Sequence, residues 1–345
     1  MKWNKIFNYI FSFTVMVVAL YYVFRYVSFK EVLEQLSYVR IWPLLLAVTS
    51  GITAVMIRAY RWRLILKDFN TISGVKLISP TFIGSVANLL PARLGEVYRA
   101  YILSTKERIS FAAALSSIIV ERLIDLLYLF ILIGSIVFFK GAIPKKDLNV
   151  MGQMVNVHLA VISFSKFTMI IVFGILLFII IVTLRPQNIR NIIIRITKKL
   201  SSIEKKILHF FDEMVQGLSL VRDIKSIIYV LGISIIVWVF FYLSYYFACI
   251  AFKIPNYITA AYLLLVYVGL FITLFPTPVF LGSFQLGCFV VLHHILNTDE
   301  NIAAGYGIVL WVVSLIPLIS IGISFIIKDN LNFHSIKEGI EDKSD

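Results

Sequence analysis

Long uninterrupted apolar runs are the dominant pattern of this sequence. Their residues are not spaced at helix or strand periods, which indicates segments embedded in lipid. A membrane-spanning helix needs about 20 apolar residues, and about eight runs meet that length. These runs are residues 6–24, 41–66, 109–139, 167–184, 227–252, 257–275, 279–297 and 302–327. We therefore predict an all-α polytopic integral membrane protein with about eight transmembrane helices.

Residues 77–104 are apolar at both ends but are interrupted in the middle. Pro91, Gly95 and Glu96 are among the interrupting residues. Proline removes a helical hydrogen bond, and glycine weakens the helix further. Irregular backbone at membrane depth is tolerated where it is buried in protein or lines a cavity. The pattern predicts a re-entrant, broken-helix hairpin in this stretch.

The same short motif occurs once in each half of the chain. Residues 91–95 (PARLG) match residues 278–282 (PVFLG), and hydrogen-bonding side chains follow at Glu96 and Gln285. Interrupted apolar segments at corresponding positions of two halves indicate a binding site between transporter repeats. The other interpretation is a pair of ordinary proline-kinked helices. An internal pseudo-repeat is therefore one of two open interpretations.

The composition excludes an ordinary soluble domain. Hydrophobic residues make up 60% of the chain and charged residues only 15%, whereas soluble domains carry about a quarter charged residues. The net charge of +13 does not indicate a nucleic-acid partner, because the basic residues lie between the apolar runs. Residues 185–226 hold the largest share, with nine basic and four acidic side chains, a net charge of +5.

The positions of the basic residues predict the orientation. The positive-inside rule places residues 58–76 and 185–226 in the cytoplasm, and the second segment is predicted to lie as a basic amphipathic connection along the anionic leaflet. An even number of spans then puts both termini in the cytoplasm. Residues 1–328 would form a single transmembrane domain of the cytoplasmic (inner) membrane, and residues 329–345 a short polar cytoplasmic tail.

A cluster of ionisable residues interrupts the apolar pattern between positions 93 and 125. Its members are Arg93, Glu96, Arg99, Glu121, Arg122 and Asp125. Because a charge at the bilayer centre costs roughly 2.5–3.5 kcal/mol, such residues normally face a cavity or a partner. The arginines can donate forked hydrogen bonds to an anionic headgroup, while the carboxylates orient them or carry a proton. The alternative is an ion-pair network that only holds helices together.

Nucleotide and metal motifs are missing from the sequence. There is no Walker A, G-x-G-x-x-G or H-E-x-x-H pattern, and Cys249 and Cys288 have neither CxxC nor paired spacing. We therefore predict no cofactor, no metal site and no catalytic residue, and lean against an enzyme. An intramembrane transferase of cell-envelope glycolipid synthesis, which uses a lipid-linked donor with Glu121 or Asp125 as general base, stays open. So do a scaffold subunit for a lipid-modifying enzyme or glycosyltransferase, and a homo-oligomer.

Three motifs together resemble a known membrane family. They are N-x-x-P-x-R-x-G-E-x-x-R from residue 88, E-R-x-x-D from residue 121, and P-x-P-x-x-x-G from residue 276. The pattern resembles the flippase-like family typified by the transmembrane region of lysylphosphatidylglycerol synthase. Uncharacterised relatives, some labelled dolichol-phosphate-sugar-synthase-like, share it. The similarity covers roughly residues 5–328.

The resemblance implies a function in phospholipid transport. In that family the membrane region moves aminoacylated phospholipid between leaflets, and a separate soluble domain makes the lipid. The chain ends at Asp345, so we expect a stand-alone translocase without ATPase activity. Its partner would be an anionic or aminoacylated phospholipid, or a lipid-linked headgroup.

The charged cluster and the interrupted motifs together give two groups of predicted site residues. The expected substrate-binding residues are Asn88, Arg93, Glu96, Arg99, Glu121, Arg122, Asp125 and Gln285. The expected backbone or hinge residues are Pro91, Gly95, Pro276, Pro278 and Gly282. Family members commonly carry a glutamate where this sequence has Gln285, so the resemblance leaves the identity and charge of the lipid open.

Overall fold

A computed structural model of the chain describes most of its length. The described residues are 13–14, 16–23, 37–67, 72–88, 95–107, 109–138, 147–150, 153–156, 185–197, 224–275 and 277–330, with scattered single residues at 30, 159–177 and 204–215. Helices dominate this part of the chain. The predicted spans 6–24 and 167–184 are only partly described, and residues 331–345 of the predicted tail lie outside it.

Helical bounds agree closely with the predicted apolar runs. The helices are α1 (Ile41–Ile65), α2 (Gly74–Ala87), α3 (Gly95–Lys106), α4 (Phe111–Phe138), α5 (Pro186–Thr197), α6 (Ile224–Ala251), α7 (Tyr257–Leu274), α8 (Ser283–Phe289) and α9 (Glu300–Lys328). A 3₁₀ turn at Pro278–Phe280 precedes α8, and a π-helical turn at Val290–Ile295 extends it.

Five described helical segments are long and apolar enough to cross a membrane. They are Ile41–Ile65, Lys225–Ala251, Tyr257–Leu274, Pro278–Ile295 and Glu300–Lys328. Helix α4 is also long, with 28 residues, but it carries three charged side chains near its middle. The chain is thus a multi-helix membrane protein, while the predicted count of eight spans stays a prediction.

A small β-hairpin is a local exception to the predicted all-α fold. Strands β1 (Asp147–Val150) and β2 (Gln153–Asn156) pair antiparallel, with Val150 opposite Gln153. The hairpin lies in the polar connection that follows α4. Two four-residue strands are too short to leave a clear period or an apolar run in the sequence.

Helices α2 and α3 form the predicted broken hairpin. At 1.5 Å per residue their 14 and 12 residues extend about 21 and 18 Å, less than the roughly 30 Å hydrocarbon core of a bilayer. The chain also returns to its starting end, since Lys76 Nζ in α2 lies 3.0 Å from Glu107 Oε1 just after α3. These two features are those of a hairpin of two short helices, and its re-entrant placement in a membrane stays a prediction.

A second interrupted hairpin, α7 and α8, lies in the centre of the molecule. The two helices approach closely at Gly287, where a Cβ atom would lie 3.0 Å from the Cα of Val268. Backbone between them is irregular: Val279 has a φ of 56° and Gly282 a φ of 89°. A positive φ is unusual for a β-branched residue such as Val279. Both motif copies thus precede short helices, although the pseudo-repeat itself stays a prediction.

Candidate functional site

Two arginines that the sequence analysis assigned to a cytoplasmic connection are part of the charged cluster. Helix α1 continues to Ile65, so Arg58 and Arg61 lie on a helix and not in the predicted 58–76 loop. Arg61 is completely buried and Arg58 is mostly buried. Their spacing of three places both on one helical face. The spacing of three could have indicated that both arginines face the protein interior. The positive-inside rule explains basic residues at this position equally well, so the sequence did not decide between the two.

Glu121 in α4 lies at the centre of the cluster and contacts four arginines. Its Oε1 atom is 2.7 Å from Arg58 Nη2, 3.3 Å from Arg61 Nη2 and 3.4 Å from Arg122 Nη2. On the other side, Oε2 is 2.9 Å from Arg99 Nη2. The Glu121 side chain has no exposure to solvent. A buried carboxylate is tolerated only with such compensation, so the four arginines account for its position.

Asp125, one turn after Glu121, extends the network toward α6. Arg61 Nη1 donates to Asp125 Oδ1 over 2.8 Å and to Ser234 Oγ over 3.0 Å. Arg122 Nη1 lies 3.3 Å from Asp125 Oδ2. One guanidinium group therefore links α1, α4 and α6.

Helix α3 brings Glu96 and Arg99 to the same place. Glu96 Oε1 is 2.9 Å from Arg122 Nη2, and its other oxygen is 3.9 Å from Arg99 Nη1. The guanidinium carbon of Arg99 lies 3.8 Å from the ring centroid of Trp62, a cation–π geometry. Trp62 is held by a hydrogen bond from its Nε1 to Ser117 Oγ over 2.8 Å. These contacts fix the orientation of the Arg99 head.

Asn88 and Gly95, which flank residues 89–94, lie beside this cluster. Asn88 Oδ1 accepts a hydrogen bond from the Gly95 backbone N–H over 3.1 Å. A Cβ atom at Gly95 would lie 2.1 Å from the Gly84 carbonyl oxygen, so only glycine permits this approach. A polar cavity of about 30 Å³ lies beside these two residues, and its lining includes Arg58, Glu96 and Arg99.

A much larger apolar pocket adjoins the polar cavity. Its volume is about 260 Å³, and its walls come from α1, α2, α6, α7, α9 and the 278–284 segment. Ser85 and Asn88 line both the pocket and the cavity. The remaining lining is mainly aliphatic and aromatic. A polar, arginine-bearing chamber and an apolar chamber therefore share one wall.

The second interrupted hairpin reaches the apolar pocket from the opposite side. Val279, Phe280 and Phe284 line it, and Trp311 of α9 donates from Nε1 to the Val279 carbonyl over 2.9 Å. Described residues of both interrupted hairpins therefore line one pocket. A binding site between the two motif copies stays a prediction.

Gln285 is held away from the ionic cluster. Its side-chain Oε1 accepts the Gly282 backbone N–H over 2.7 Å, which caps α8, and its side chain is buried. Its Cα lies near Gly307 of α9. The contacts given for Gln285 are thus structural, and a direct contact with substrate stays a prediction. Pro278 begins the 3₁₀ turn at the pocket.

The structure brings together most of the residues predicted for the site. Asn88, Glu96, Arg99, Glu121, Arg122 and Asp125 lie in or beside the ionic cluster, joined by Arg58 and Arg61. Pro91, Arg93 and Pro276 lie outside the described residues. Within the described part of the chain, no three His, Cys, Asp or Glu residues are grouped in a way that could hold a metal ion.

Comparisons with known proteins agree with this architecture. Residues 9–322 match the family described as the lysylphosphatidylglycerol synthase TM region. Among curated proteins, the UPF0104 membrane protein MJ1078 of Methanocaldococcus jannaschii is 29% identical over 121 residues, which are 34% of this chain and 49% of that protein. The match therefore spans about half the length of the curated relative. No solved structure matches the chain significantly.

Proposed function

Because the chain belongs to the membrane-protein family of the lysylphosphatidylglycerol synthase TM region, we propose that it is a lipid translocase. In this proposal it binds an anionic or aminoacylated phospholipid, or a lipid-linked headgroup, and carries that headgroup between leaflets. It does so without ATPase activity of its own. Family membership supports a role that involves membrane lipid, and the two adjoining chambers support translocation.

One observation carries the proposal: the polar cavity and the apolar pocket share Ser85 and Asn88. A phospholipid has the same two parts, a charged head and apolar tails. Arginine is well suited to phosphate because its planar donors match two oxygens at once. Arg58 and Arg99 would face the head, and the apolar pocket would accept part of a tail.

The ionic cluster gives the protein a low-cost way to keep arginines at membrane depth. Before a lipid binds, the negative charge of Glu121 compensates the positive charges of Arg58 and Arg99. A phosphate that enters the cavity would add to that compensation, because Arg99 lines the cavity and its Nε atom has no hydrogen-bond partner among the described residues. The guanidinium groups were already removed from water when the protein folded, so lipid binding does not add that desolvation free energy. Binding and release can therefore occur without hydrolysis of a nucleotide.

The contacts around Glu121 favour this function over the transferase alternative. Both of its carboxylate oxygens lie within ion-pair distance of a guanidinium group, which leaves it poorly placed to remove a proton from an acceptor. Asp125 is engaged in the same way. A general base needs an oxygen directed at the proton it takes. Product formation from a polyprenyl-phosphate sugar by the purified protein would favour the transferase instead.

The test is lipid movement in vesicles that contain the full-length protein. Phosphatidylcholine vesicles would carry acyl-NBD phosphatidylglycerol, and dithionite would bleach the probe in the outer leaflet. We expect the wild-type protein to expose inner-leaflet probe during the assay. Arg58→Gln should slow this movement about tenfold or more, as expected for loss of a charge-assisted bond. Arg63→Gln is the control, since Arg63 is exposed on the same helix.

A second pair of variants tests the apolar pocket. Ser314 lines the pocket on α9, so Ser314→Phe should fill it and slow transport. Ser320 is exposed on the same helix, and Ser320→Phe should leave transport unchanged. No bleaching beyond that of protein-free vesicles, from a folded wild-type protein, would refute the translocase.

A further inference from the structure

We propose that the site selects a lipid headgroup with a single phosphodiester negative charge and no ammonium group. This inference depends on the proposed lipid-binding function and narrows its substrate class. The observations behind it are the charge balance of the cluster, the state of its carboxylates and the donors left on its arginines. An aminoacylated phospholipid would be a poor ligand for such a site.

The described residues of the cluster, which do not include Arg93, carry one net positive charge. Four guanidinium groups belong to the described network, and three carboxylates oppose them. The arginines are Arg58, Arg61, Arg99 and Arg122, and the acids are Glu96, Glu121 and Asp125. One monoanionic ligand would bring the described cluster to neutrality.

The carboxylates already lie beside guanidinium groups, which disfavours the approach of an ammonium group. Each of their six oxygens lies within 4.0 Å of a guanidinium nitrogen; the longest separation is 3.9 Å, between Glu96 Oε2 and Arg99 Nη1. An incoming amine would meet an arginine at every carboxylate. Like charges at this range repel, and burial strengthens the repulsion. A lysyl headgroup is therefore disfavoured.

The arginines keep donors that have no acceptor, and Glu121 Oε2, 2.9 Å from Arg99 Nη2, is paired by charge without a hydrogen bond from any described residue. Within the part of the chain that the structure describes, the Nε atoms of Arg61, Arg99 and Arg122 are buried without a hydrogen-bond partner. Arg99 is the member that also lines the polar cavity, and its side chain is only 3% exposed. A buried donor without an acceptor costs about 1–3 kcal/mol. A phosphate oxygen in the cavity would supply the missing acceptor.

Charge and space together favour a phosphodiester over a phosphomonoester. A dianion would leave the buried cluster with a net negative charge, which is costly in a low-dielectric interior. The polar cavity, at about 30 Å³, has room for a phosphoryl oxygen but not for a large headgroup. The phosphorus would lie at the shared wall, near Ser85 and Asn88. The glycerol backbone and a tail would continue into the apolar pocket.

Direct binding tests the selectivity separately from transport. The full-length protein in detergent would be titrated with four lipids that share one NBD-labelled acyl chain, and fluorescence anisotropy would report binding. The headgroups are phosphatidylglycerol, lysyl-phosphatidylglycerol, phosphatidylethanolamine and phosphatidic acid. We expect phosphatidylglycerol to bind about tenfold more tightly than the two amine-bearing lipids.

The outcomes of this titration distinguish the two proposals. Binding of phosphatidylglycerol ahead of both amine-bearing lipids supports the inference. Equal or tighter binding of lysyl-phosphatidylglycerol or phosphatidylethanolamine overturns it and leaves the lipid-binding function intact. If none of the four lipids binds the folded protein, the proposed function itself is wrong.

A charge-changing variant makes the inference sharper. Glu96→Gln removes one negative charge at the partly exposed edge of the cluster and so raises its net charge by one. The binding preference should therefore shift from phosphatidylglycerol toward phosphatidic acid. The measurement belongs at about pH 8, where a phosphomonoester with a second pKa near 6 is largely a dianion. Glu107→Gln is the matched control, because Glu107 pairs with Lys76 away from the cluster. An unchanged lipid ratio in Glu96→Gln would contradict the charge-balance argument.

Discussion

Glu121 shows how one buried acid can hold several basic residues inside an apolar protein. It contacts Arg58, Arg61, Arg99 and Arg122, which come from three different helices. The sequence predicted Glu121 as a site residue because an ionised group in an apolar run is costly. It could not predict Arg58 and Arg61, because basic residues at a span end satisfy the positive-inside rule equally well. Only packing shows which arginines point inward.

Removal of the Glu121 charge should destabilise the protein strongly. Glu121→Gln leaves four guanidinium groups without their common counter-charge, and breaking a buried ion pair costs about 3–5 kcal/mol. Thermal unfolding of the detergent-solubilised protein would measure the loss. Glu107→Gln, which removes an acid from a pair with the exposed Lys76, should change the midpoint little. Equal midpoints for the two variants would contradict a central role for Glu121.

The two interrupted hairpins are the elements that build the site. The sequence predicted the first from Pro91 and Gly95, and left open whether residues 91–95 and 278–282 belong to a repeat. In the structure, the backbone N–H of each motif glycine is held by a carboxamide oxygen, Asn88 for Gly95 and Gln285 for Gly282. The shared pocket could not be predicted, because it depends on how α2 and α8 pack against α9.

Gly95 should tolerate no side chain at the tip of the first hairpin. In Gly95→Ala the new methyl group would overlap the Gly84 carbonyl oxygen and the Asn88 side chain. We expect a loss of about 1–3 kcal/mol in stability from overpacking, together with slower lipid movement. Thermal unfolding and the vesicle assay would measure the two effects.

Gly232→Ala provides the matched control for this change. A Cβ atom at Gly232 in α6 would have no heavy atom within 4 Å. Alanine in a helix interior is favoured over glycine by roughly 0.5–1 kcal/mol, so this variant should be as stable as the wild type or slightly more stable. A Gly95→Ala protein that unfolds at the same temperature as Gly232→Ala would show that the tip can adjust.

At the scale of the whole molecule, the end of the last helix is tied to the first hairpin. Asp329, just after α9, accepts hydrogen bonds from Ser79 of α2 and Lys106 of α3. The end of α9 therefore lies on the same side as the start of α2. The compartment that this side faces stays a prediction.

This tie should weaken in acid. Burial alone would raise the pKa of Asp329, but the hydrogen bonds from Lys106 and Ser79 and the charge of Lys106 hold that pKa below its ordinary value. A carboxyl group with a lowered folded-state pKa contributes stability above its unfolded pKa of about 3.9 and loses it as pH falls through the folded value. The contribution is about 1 kcal/mol or less, as for partly exposed ion pairs.

Asp329→Asn should therefore match the wild type only at low pH. Unfolding midpoints of both proteins, measured from about pH 7 down to pH 3, should differ by a constant amount near neutrality and converge below about pH 4. Because both proteins carry the same other carboxylates, the difference between their unfolding midpoints at each pH reports Asp329. A gap that persists or widens in acid would contradict the ionic character of the tie.

Trp311 in the pocket wall makes the protein its own optical reporter. Its indole lies beside the apolar pocket, with Nε1 bonded to Val279. Bromine atoms on an acyl chain quench indole emission only at short range. A brominated tail that entered this space would quench Trp311, and a comparison with Trp311→Phe would separate this signal from that of the other four tryptophans.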